Sequence, residues 1–525
     1  MSETALESQL DKLRDLFQRA LRIRGRTDDA LEPTSTLVSL QSSSNLSLAQ
    51  RLPTELVLAI FEFLIPKPFY ADAFSFNVGD PAKLDYEVDT TYSVQKPQAD
   101  LARFCRVCKG WRAILSELLY TRVYLVCPER IRLFGRTVKD CDVAPLVKEI
   151  YIFSQDKTPE EDASRITSFL TGKRGDIKDV RMARTELVNI LRYCAFTRSI
   201  SISSRTAAEA QAFTIDTDFA QQTNITLNYI RRLSIWGALS TNVTSMSPII
   251  GPDVHLHQLQ VLCLREVDFP THFAFPSLPR LHTLQIARSF AWGHRNDDAV
   301  PISLRRMPQL RSLELYQNNF HMLVQSDCLR RLERLHLFGR KESVIMSLWG
   351  APEEITHDEP IVDNLRHLAF DSFSPPIPDH HERLGSSFQR LLRPCTLESI
   401  TVLLRPGTYR IHDPSAPPPP AVSSIDVTML NILLEHLKNP PKPLKMKELT
   451  LIKPRRPVSA AATSTEVALE VENRLQVSVR ENRLDTIKQE IKQICEISGI
   501  VFRVLENEEF GPWVTERLMS DRLSF

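Results

Sequence analysis

The chain has 525 residues, and its 65 lysines and arginines against 64 aspartates and glutamates give a net charge of +1, which excludes a global electrostatic attraction to nucleic acid or to an anionic membrane. Hydrophobic residues make up 42% and charged residues 25%, ordinary values for a folded protein of roughly two to four domains. Only 15 glycines accompany 34 prolines, so the backbone has few places to wrap a phosphate or a cofactor. The composition favours a recognition scaffold over a nucleotide-binding enzyme.

Residues 1–25 predict an amphipathic N-terminal helix. Leu6, Leu10, Leu13, Phe17 and Ala20 recur at alternating steps of four and three, which is heptad spacing, with charged residues between them. The pattern is short, so the segment is either a docked helix or a weak self-association element. The charges of this segment are unlike a secretory signal. Over the whole sequence, the nine cysteines are odd in number, and there is no apolar run long enough to predict a membrane helix. These features predict reduced thiols and a cytoplasmic or nuclear location, or both.

Residues 26–50 are polar and predict a linker, and a small helical module is predicted over residues 51–126. Its first helix is indicated by LPTELVLAIFEFL, with Pro53 suited to the first turn and Pro66 to the end. Residues 66–100 lack any period and predict an inserted loop. The run LARFCRVCKGWRAILSELLYTRVYL then predicts two further helices, separated at Gly110. So few residues cannot hide all their apolar side chains, and the face left over is expected to bind a partner.

These segments, in this order, resemble an F-box. The resemblance is carried by an opening Leu-Pro, an apolar helix ending in leucine, a Val-Cys-x-x-Trp core and a closing Leu-Tyr pair: Leu52-Pro53, Leu64, Val107, Cys108, Trp111 and Leu119-Tyr120. The match covers about 75 residues including the loop. Two departures from the family pattern are the loop over 66–100, which splits the motif, and Tyr120, where many members have tryptophan.

The resemblance implies that this module binds the Skp adaptor of a cullin–RING ubiquitin ligase. The implied docking residues form a first strip and a core with a second strip: Leu52, Pro53, Leu56, Ile60, Phe61 and Leu64, then Val107, Cys108, Trp111 and Leu115. Apolar burial at a small interface supplies most of the affinity and is concentrated in a few anchors.

Residues 127–525 carry a recurring apolar-x-x-apolar-x-apolar pattern. Its instances are Val147/Ile150/Ile152, Ile230/Leu233/Ile235, Leu259/Leu262/Leu264, Leu281/Leu284/Ile286, Leu310/Leu313/Leu315, Leu332/Leu335/Leu337, Leu365/Leu368/Phe370, Leu397/Ile400/Val402 and Met446/Leu449/Leu451, with a weaker one at Ile200/Ile202. The last two apolar positions alternate, as a short strand requires. Many of the steps between instances are close to the ~20–29 residue period of leucine-rich repeats.

The pattern resembles degenerate leucine-rich repeats, in which only Asn318 stands at the usual asparagine position. Helices are predicted at Thr185–Tyr193, Val427–Leu437 and Asp485–Ile497, a last strand at Val501–Leu505, and loops near 410–424 and 454–464. The predicted fold class is α/β: a small helical F-box module followed by an irregular leucine-rich-repeat solenoid of short parallel strands with outer helices and loops.

The sequence contains no convincing enzyme or metal motif. Cys105 and Cys108 form a CxxC pair, but no second pair lies at zinc-finger spacing, and within the helical pattern both are expected to pack as small apolar residues. The histidine clusters, which are His255 with His257 and His380 with His381 and Glu382, lack the spacing of zinc hydrolases. No nucleophile elbow, phosphate-binding loop or Rossmann fingerprint occurs. We predict no catalytic residue, no metal and no cofactor.

Basic clusters in the repeat region are candidates for binding a target protein. Arg306, Arg331 and Arg334 are the best of them because they recur at similar places in successive repeats; the alternative is a solvated rim. Three histidines next to or between strand leucines could line one face: His282, His336 and His367.

An apolar helical module followed by stacked repeats predicts a two-ended adaptor. The predicted function is substrate recognition in a Skp–cullin–F-box ubiquitin ligase, with no nucleic acid or membrane partner. The alternative is a leucine-rich-repeat interaction scaffold with no ubiquitin-ligase role, in which the helical module is an N-terminal cap. A hydrolase or metal enzyme is the third hypothesis.

Overall fold

The computed structural model describes residues 53–57, 101–107, 109–125, 128–153, 175–203, 215, 217–236, 250, 254–265, 267–269, 274–287, 290–291, 299–302, 305–316, 321–324, 330–338, 364–371, 389, 391–392, 394, 396–403, 425–440, 443, 445–453 and 467–506. Within this set, residues 53–57 and 101–121 belong to one unit, and the residues from Arg122 onward belong to a second. The predicted N-terminal helix, the linker and the loops at 66–100, 410–424 and 454–464 lie outside the described residues.

One parallel sheet of twelve strands organises the second unit. With strands numbered in chain order, it consists of β1 (Arg122–Leu125), β2 (Glu149–Phe153), β3 (Ser199–Ser203), β4 (Arg232–Trp236), β5 (Val261–Arg265), β7 (Thr283–Ala287), β10 (Ser312–Tyr316), β12 (Arg334–Phe338), β13 (His367–Asp371), β14 (Ser399–Leu403), β15 (Glu448–Lys453) and β16 (Val501–Glu506). The strands lie side by side in that order, and every neighbouring pair is parallel. The protein is therefore α/β, and its chain advances one strand at a time in a single direction.

Two small strand pairs and several helices accompany this sheet, and one helix, α1, precedes its first strand in the first unit. Two small parallel pairs are formed by β6 (Asp268–Phe269) with β8 (Phe290–Ala291), and by β9 (Ala299–Ile302) with β11 (His321–Val324). The longer helices are α1 (Lys109–Thr121), α2 (Pro128–Asp140), α3 (Gly175–Tyr193), α4 (Thr217–Gln222), α5 (Asn224–Tyr229), α6 (Ile425–Lys438) and α7 (Val467–Ser498), and a 3-10 turn spans Ala144–Leu146.

The repeated apolar pattern builds the core. In the repeat of β10, Leu310, Leu313 and Leu315 are all buried, and the corresponding residues of the other repeats are buried in the same way. Each leucine removed from water contributes roughly 1.5–3 kcal/mol. Because the two strand positions lie on one face and the first position turns in from the preceding connection, every repeat adds a layer to the same core.

The helices dock where the sequence allows close approach. A Cβ added at Gly135 of α2 would stand 3.0 Å from the Glu186 carboxylate of α3, so a larger residue there requires that carboxylate to shift. Helix α7 ends in a Schellman motif, in which the Ile500 amide donates to Cys495 O at 2.8 Å and Gly499 adopts a φ of +69°. The chain therefore reverses directly from α7 into β16.

The predicted strands are confirmed at all ten positions and at the last strand, β16. The three predicted helices are also present and are longer than expected, most of all α7. One segment was interpreted wrongly: Arg122–Leu125 continues an apolar helical run in sequence but forms β1. Gly110 does not separate two helices either, because the break is the turn at 105–107 and Gly110 lies inside α1.

Candidate functional site

The described residues of the first unit share one small hydrophobic core. Val57, Leu101 and Leu115 are buried together. Six hydrophobic side chains pack against this core while keeping part of their surface in solvent: Phe104, Cys105, Trp111, Ile114, Leu118 and Leu119. The rings of Phe104 and Trp111 lie 6.1 Å apart between centroids and are tilted by 58°. These six side chains thus leave part of the apolar surface of the described residues uncovered.

Two backbone turns position the side chains around this core. The amides of Leu56 and Val57 both donate to Pro53 O at 3.1 Å, so the predicted helix start at Pro53 is present. At the other turn, the Val107 amide donates to Phe104 O at 3.0 Å and ends the helical run before α1 begins. That turn projects Val107 outward, and its side chain is 52% exposed.

The predicted docking residues take different places. Pro53 is exposed and Leu56 is half-buried in the first strip. In the second, Val107 is exposed and Trp111 is half-buried, whereas Leu115 is completely buried and can serve only as core. The remaining predicted residues lie outside the described residues: Leu52, Ile60, Phe61, Leu64 and Cys108.

The first cysteine of the CxxC pair packs as predicted. Cys105 lies against the helical core, and burial raises the pKa of its thiol, while the positive charge of Arg112 acts in the opposite direction. A thiol held in its neutral form is a poor metal ligand and a poor nucleophile. This environment gives Cys105 a packing role.

A chain of buried polar side chains crosses three strands of the sheet. The Cys263 thiol donates to Gln285 Oε1 at 2.8 Å, and Gln285 Nε2 donates to Glu314 Oε2 at 2.7 Å. Ser312 Oγ donates to the other oxygen of Glu314 at 3.2 Å. Glu314 is completely buried, and Gln285, Cys263 and Ser312 are buried almost as fully.

Strand register explains this chain and why sequence reasoning missed it. Cys263, Gln285 and Glu314 are in-register neighbours on β5, β7 and β10, and His336 on β12 follows Glu314. In the sequence, each is the residue between the last two apolar positions of its repeat. That position could have indicated a polar row, but only the register shows that side chains more than twenty residues apart touch.

The predicted target-binding arginines are not in equivalent positions. Arg306 donates through Nη1 to Phe275 O and so fixes the connection before β7. The register places Arg334 opposite Ser312 on the sheet, whereas Arg331 is exposed three residues before β12. Arg306 lies six residues before β10, so the expected recurrence is absent.

The histidines are also dispersed. His282 contacts Gln309 Oε1 at 3.2 Å, and His367 Nδ1 contacts Ser399 Oγ at 2.8 Å. The rings of His255 and His257 are exposed and stacked, with centroids 5.4 Å apart. The His380–Glu382 cluster lies outside the described residues.

The described residues contain no group of three or more side chains placed to hold a metal ion, and no described helix has the length and apolarity needed to cross a membrane. Comparison with known proteins finds neither a family model nor a curated sequence that matches this chain. Two surfaces of the described residues are the candidate functional features: the partly exposed apolar side chains of the helical unit and the exposed ends of the sheet strands.

Proposed function

We propose that this chain is the substrate-recognition adaptor of a Skp–cullin–F-box ubiquitin ligase, with residues 51–126 acting as the F-box. The observation that carries the proposal is the exposed Val107 beside the described core residues Val57, Leu101 and Leu115. A valine held in solvent at the end of a turn contributes nothing to that core. Covering it with a partner gains the free energy of apolar burial.

The half-buried side chains support the same interpretation. Trp111 and Leu56 belong to the implied docking set, and each presents part of its surface to solvent. Large aromatic and aliphatic anchors of this kind dominate the affinity of protein interfaces. Leu115 is completely buried and belongs to the core against which Trp111 packs.

We propose further that the twelve-stranded sheet belongs to an irregular leucine-rich-repeat solenoid that binds a target protein. Its strands are parallel and follow chain order, and each repeat buries the same three apolar positions. Stacked repeats of this type present extended binding surfaces. In this proposal the chain makes or breaks no bond; it holds the target close to the transferring machinery and raises its effective concentration.

The experiment is recovery of a Skp-type adaptor by the full-length chain. Val107→Asp places a charge in the proposed interface, and we expect about thirtyfold weaker binding, the loss of one strong anchor. Leu133→Asp is the matched control, because Leu133 is an equally exposed apolar residue, 57% against 52%, in the second unit. Leu56→Asp combined with Ile60→Asp tests the first strip.

The result that supports the proposal is loss of adaptor with Val107→Asp and normal recovery with Leu133→Asp. Equal losses in both variants would contradict it, and circular dichroism of each variant identifies a loss caused by misfolding.

A second candidate function is a repeat scaffold without a ligase role, with the helical unit as a cap. The direct continuation of α1 into β1 at Thr121 and Arg122 favours it, because an N-terminal cap must precede the first strand without a linker. If the wild-type chain never recovers the adaptor, this scaffold function replaces the first proposal.

A further inference from the structure

The residues that immediately precede the strands form one continuous row along an edge of the sheet. This edge row consists of Lys148, Arg198, Arg231, Gln260, His282, Arg311, Glu333, Arg366, Glu398 and Lys447. Each amide from Arg198 onward donates to the carbonyl oxygen of the preceding member, at 2.7 to 2.9 Å. The side chains of the row are therefore spaced by the strand separation of about 4.8 Å.

In the later half of the edge row, charges alternate and neutralise one another. Arg311 Nη1 lies 2.8 Å from Glu333 Oε1. Glu398 lies between two cations, with Lys447 Nζ at 2.6 Å and Arg366 Nε at 3.9 Å. Neighbouring members of the row thus reach one another, and this half satisfies its charges internally.

In the early half, three cations follow one another with no acid between them. Lys148, Arg198 and Arg231 are consecutive members, and adjacent like charges at this spacing disfavour folding. Neither arginine forms an ion pair with another described residue, and both are exposed. The nearby Glu149 is engaged elsewhere, because it lies 3.4 Å from Arg122 Nε and accepts a hydrogen bond from Tyr151 at 2.6 Å.

Exposed aromatic rings accompany these cations at equivalent positions. Phe196 and Tyr229 each lie two residues before an edge-row arginine, and they are 61% and 59% exposed. The ammonium of Lys148 lies 5.3 Å from the centroid of the Phe196 ring. Cations and aromatic rings therefore interleave across two strand spacings.

In three later repeats the same position carries a polar residue that is hydrogen-bonded along the edge, and in two others it carries an exposed cation, Arg331 or Lys445. Gln309 contacts His282, Asn364 donates to Arg330 O at 2.9 Å, and Thr396 donates to Leu365 O at 2.9 Å. Among the described residues, no later repeat places an aromatic ring at this position. Only the early half combines exposed rings with adjacent, unpaired edge-row cations, which indicates a binding role.

We propose that the surface formed by Lys148, Phe196, Arg198, Tyr229 and Arg231 binds an acidic segment of a partner protein. The carboxylates of that segment pair with the two arginines, and its apolar side chains lie on the two rings. The surface is about 10 Å long, the length of roughly three extended residues. A strand of nucleic acid needs a longer basic track, and the chain's net charge of +1 supplies none globally.

This inference deepens the proposed function by giving the chemistry of the target, and it rests on that function only in identifying the partner as a ligase target. The test uses the full-length chain without any ligase component. A fluorescein-labelled glutamate-rich peptide with interspersed leucines is titrated by fluorescence anisotropy, beside the same peptide with every glutamate replaced by glutamine. Labelled oligothymidine is the third probe.

One set of variants changes the early half of the edge row and its rings, and a control pair changes the later half. Arg198→Gln with Arg231→Gln should weaken peptide binding about tenfold or more, and Phe196→Ala with Tyr229→Ala about fivefold. Arg311→Gln with Arg366→Gln is the matched control, since it removes two charges from the same row, and we expect binding within about twofold of wild type.

Several outcomes overturn the inference: no saturable binding of the acidic peptide, equal binding of the glutamine peptide, or an equal loss in the control pair. Tighter binding of oligothymidine that depends on Arg198 and Arg231 overturns it in favour of nucleic acid. Adaptor recovery, measured separately, should be unchanged in both arginine pairs, so failure of the Skp interaction and failure of this surface are distinguishable.

Discussion

Glu314 offers the sharpest test of the packing described for the sheet. In Glu314→Leu, the Nε2 of Gln285 loses the acceptor that lies 2.7 Å away, while Gln285 itself stays buried. An unsatisfied buried donor costs about 1–3 kcal/mol. The Ser312 hydroxyl, 3.2 Å from the other carboxylate oxygen, can rotate toward a new partner and adds less. We therefore expect Glu314→Leu to lower the free energy of unfolding by about 2 kcal/mol.

A double variant distinguishes the cost of the unsatisfied hydrogen-bond donor from the cost of altered side-chain packing. When Gln285→Leu accompanies Glu314→Leu, the donor and acceptor of this bond disappear together; only the weak Cys263 thiol donor loses its acceptor, so part of the destabilisation should be recovered. Urea unfolding followed by circular dichroism gives the double-mutant cycle. The reasoning is refuted if Glu314→Leu unfolds at the same urea concentration as wild type, or if the double variant is as unstable as the two single effects added together.

Three further predictions concern other parts of the chain. Burial lowers the pKa of His436, so its contribution to stability is complete above about pH 6.5 and is lost as the pH falls toward the folded-state pKa; His436→Leu should flatten the acid side of a plot of urea midpoint against pH, and an unchanged slope would contradict this. Burial raises the pKa of Cys194 to about 12, so maleimide labelling of the native chain at pH 8, mapped by mass spectrometry, should modify the exposed Cys141 and reach Cys194 only after denaturation. Gly499→Ala should lower stability by about 1 kcal/mol in thermal unfolding, because its φ of +69° disfavours any side chain although no atom blocks one; an unchanged midpoint would show that the helix end relaxes.

The strands were predictable because one local pattern specifies both their position and their buried face. In the repeat of β10, Leu313 and Leu315 alternate around a polar residue, and that alternation has the period of a strand. Strand β1 carries the same pattern in Val123 and Leu125, but it follows an apolar helix without a break. Val123 and Leu125 were therefore assigned to the predicted helix that precedes them.

The buried polar chain of Cys263, Gln285 and Glu314 and the edge row were not predictable, because both depend on strand register. Gln285 and Glu314 are 29 residues apart in sequence, and only pairing of β7 with β10 brings them together. Arg198 and Arg231 likewise become equivalent only when β3 and β4 are aligned. Sequence reasoning selected Arg306 instead, on an expected recurrence in successive repeats, and the structure uses that side chain to hold a connection.

In several strands the residue between the last two apolar positions of the repeat is buried. This burial limits where a partner can make polar contacts on the described sheet. Glu314 on β10, Thr401 on β14 and Thr450 on β15 occupy this position at 0%, 3% and 0% exposure, so their hydrogen-bonding groups offer almost no accessible surface. Residues at the strand starts differ, because Arg198 and Arg231 are exposed and leave their charges unpaired with other described residues. Recognition by this part of the chain is therefore expected to run along the edge of the sheet, where a partner that supplies carboxylates relieves the repulsion between adjacent cations and gains affinity from both effects.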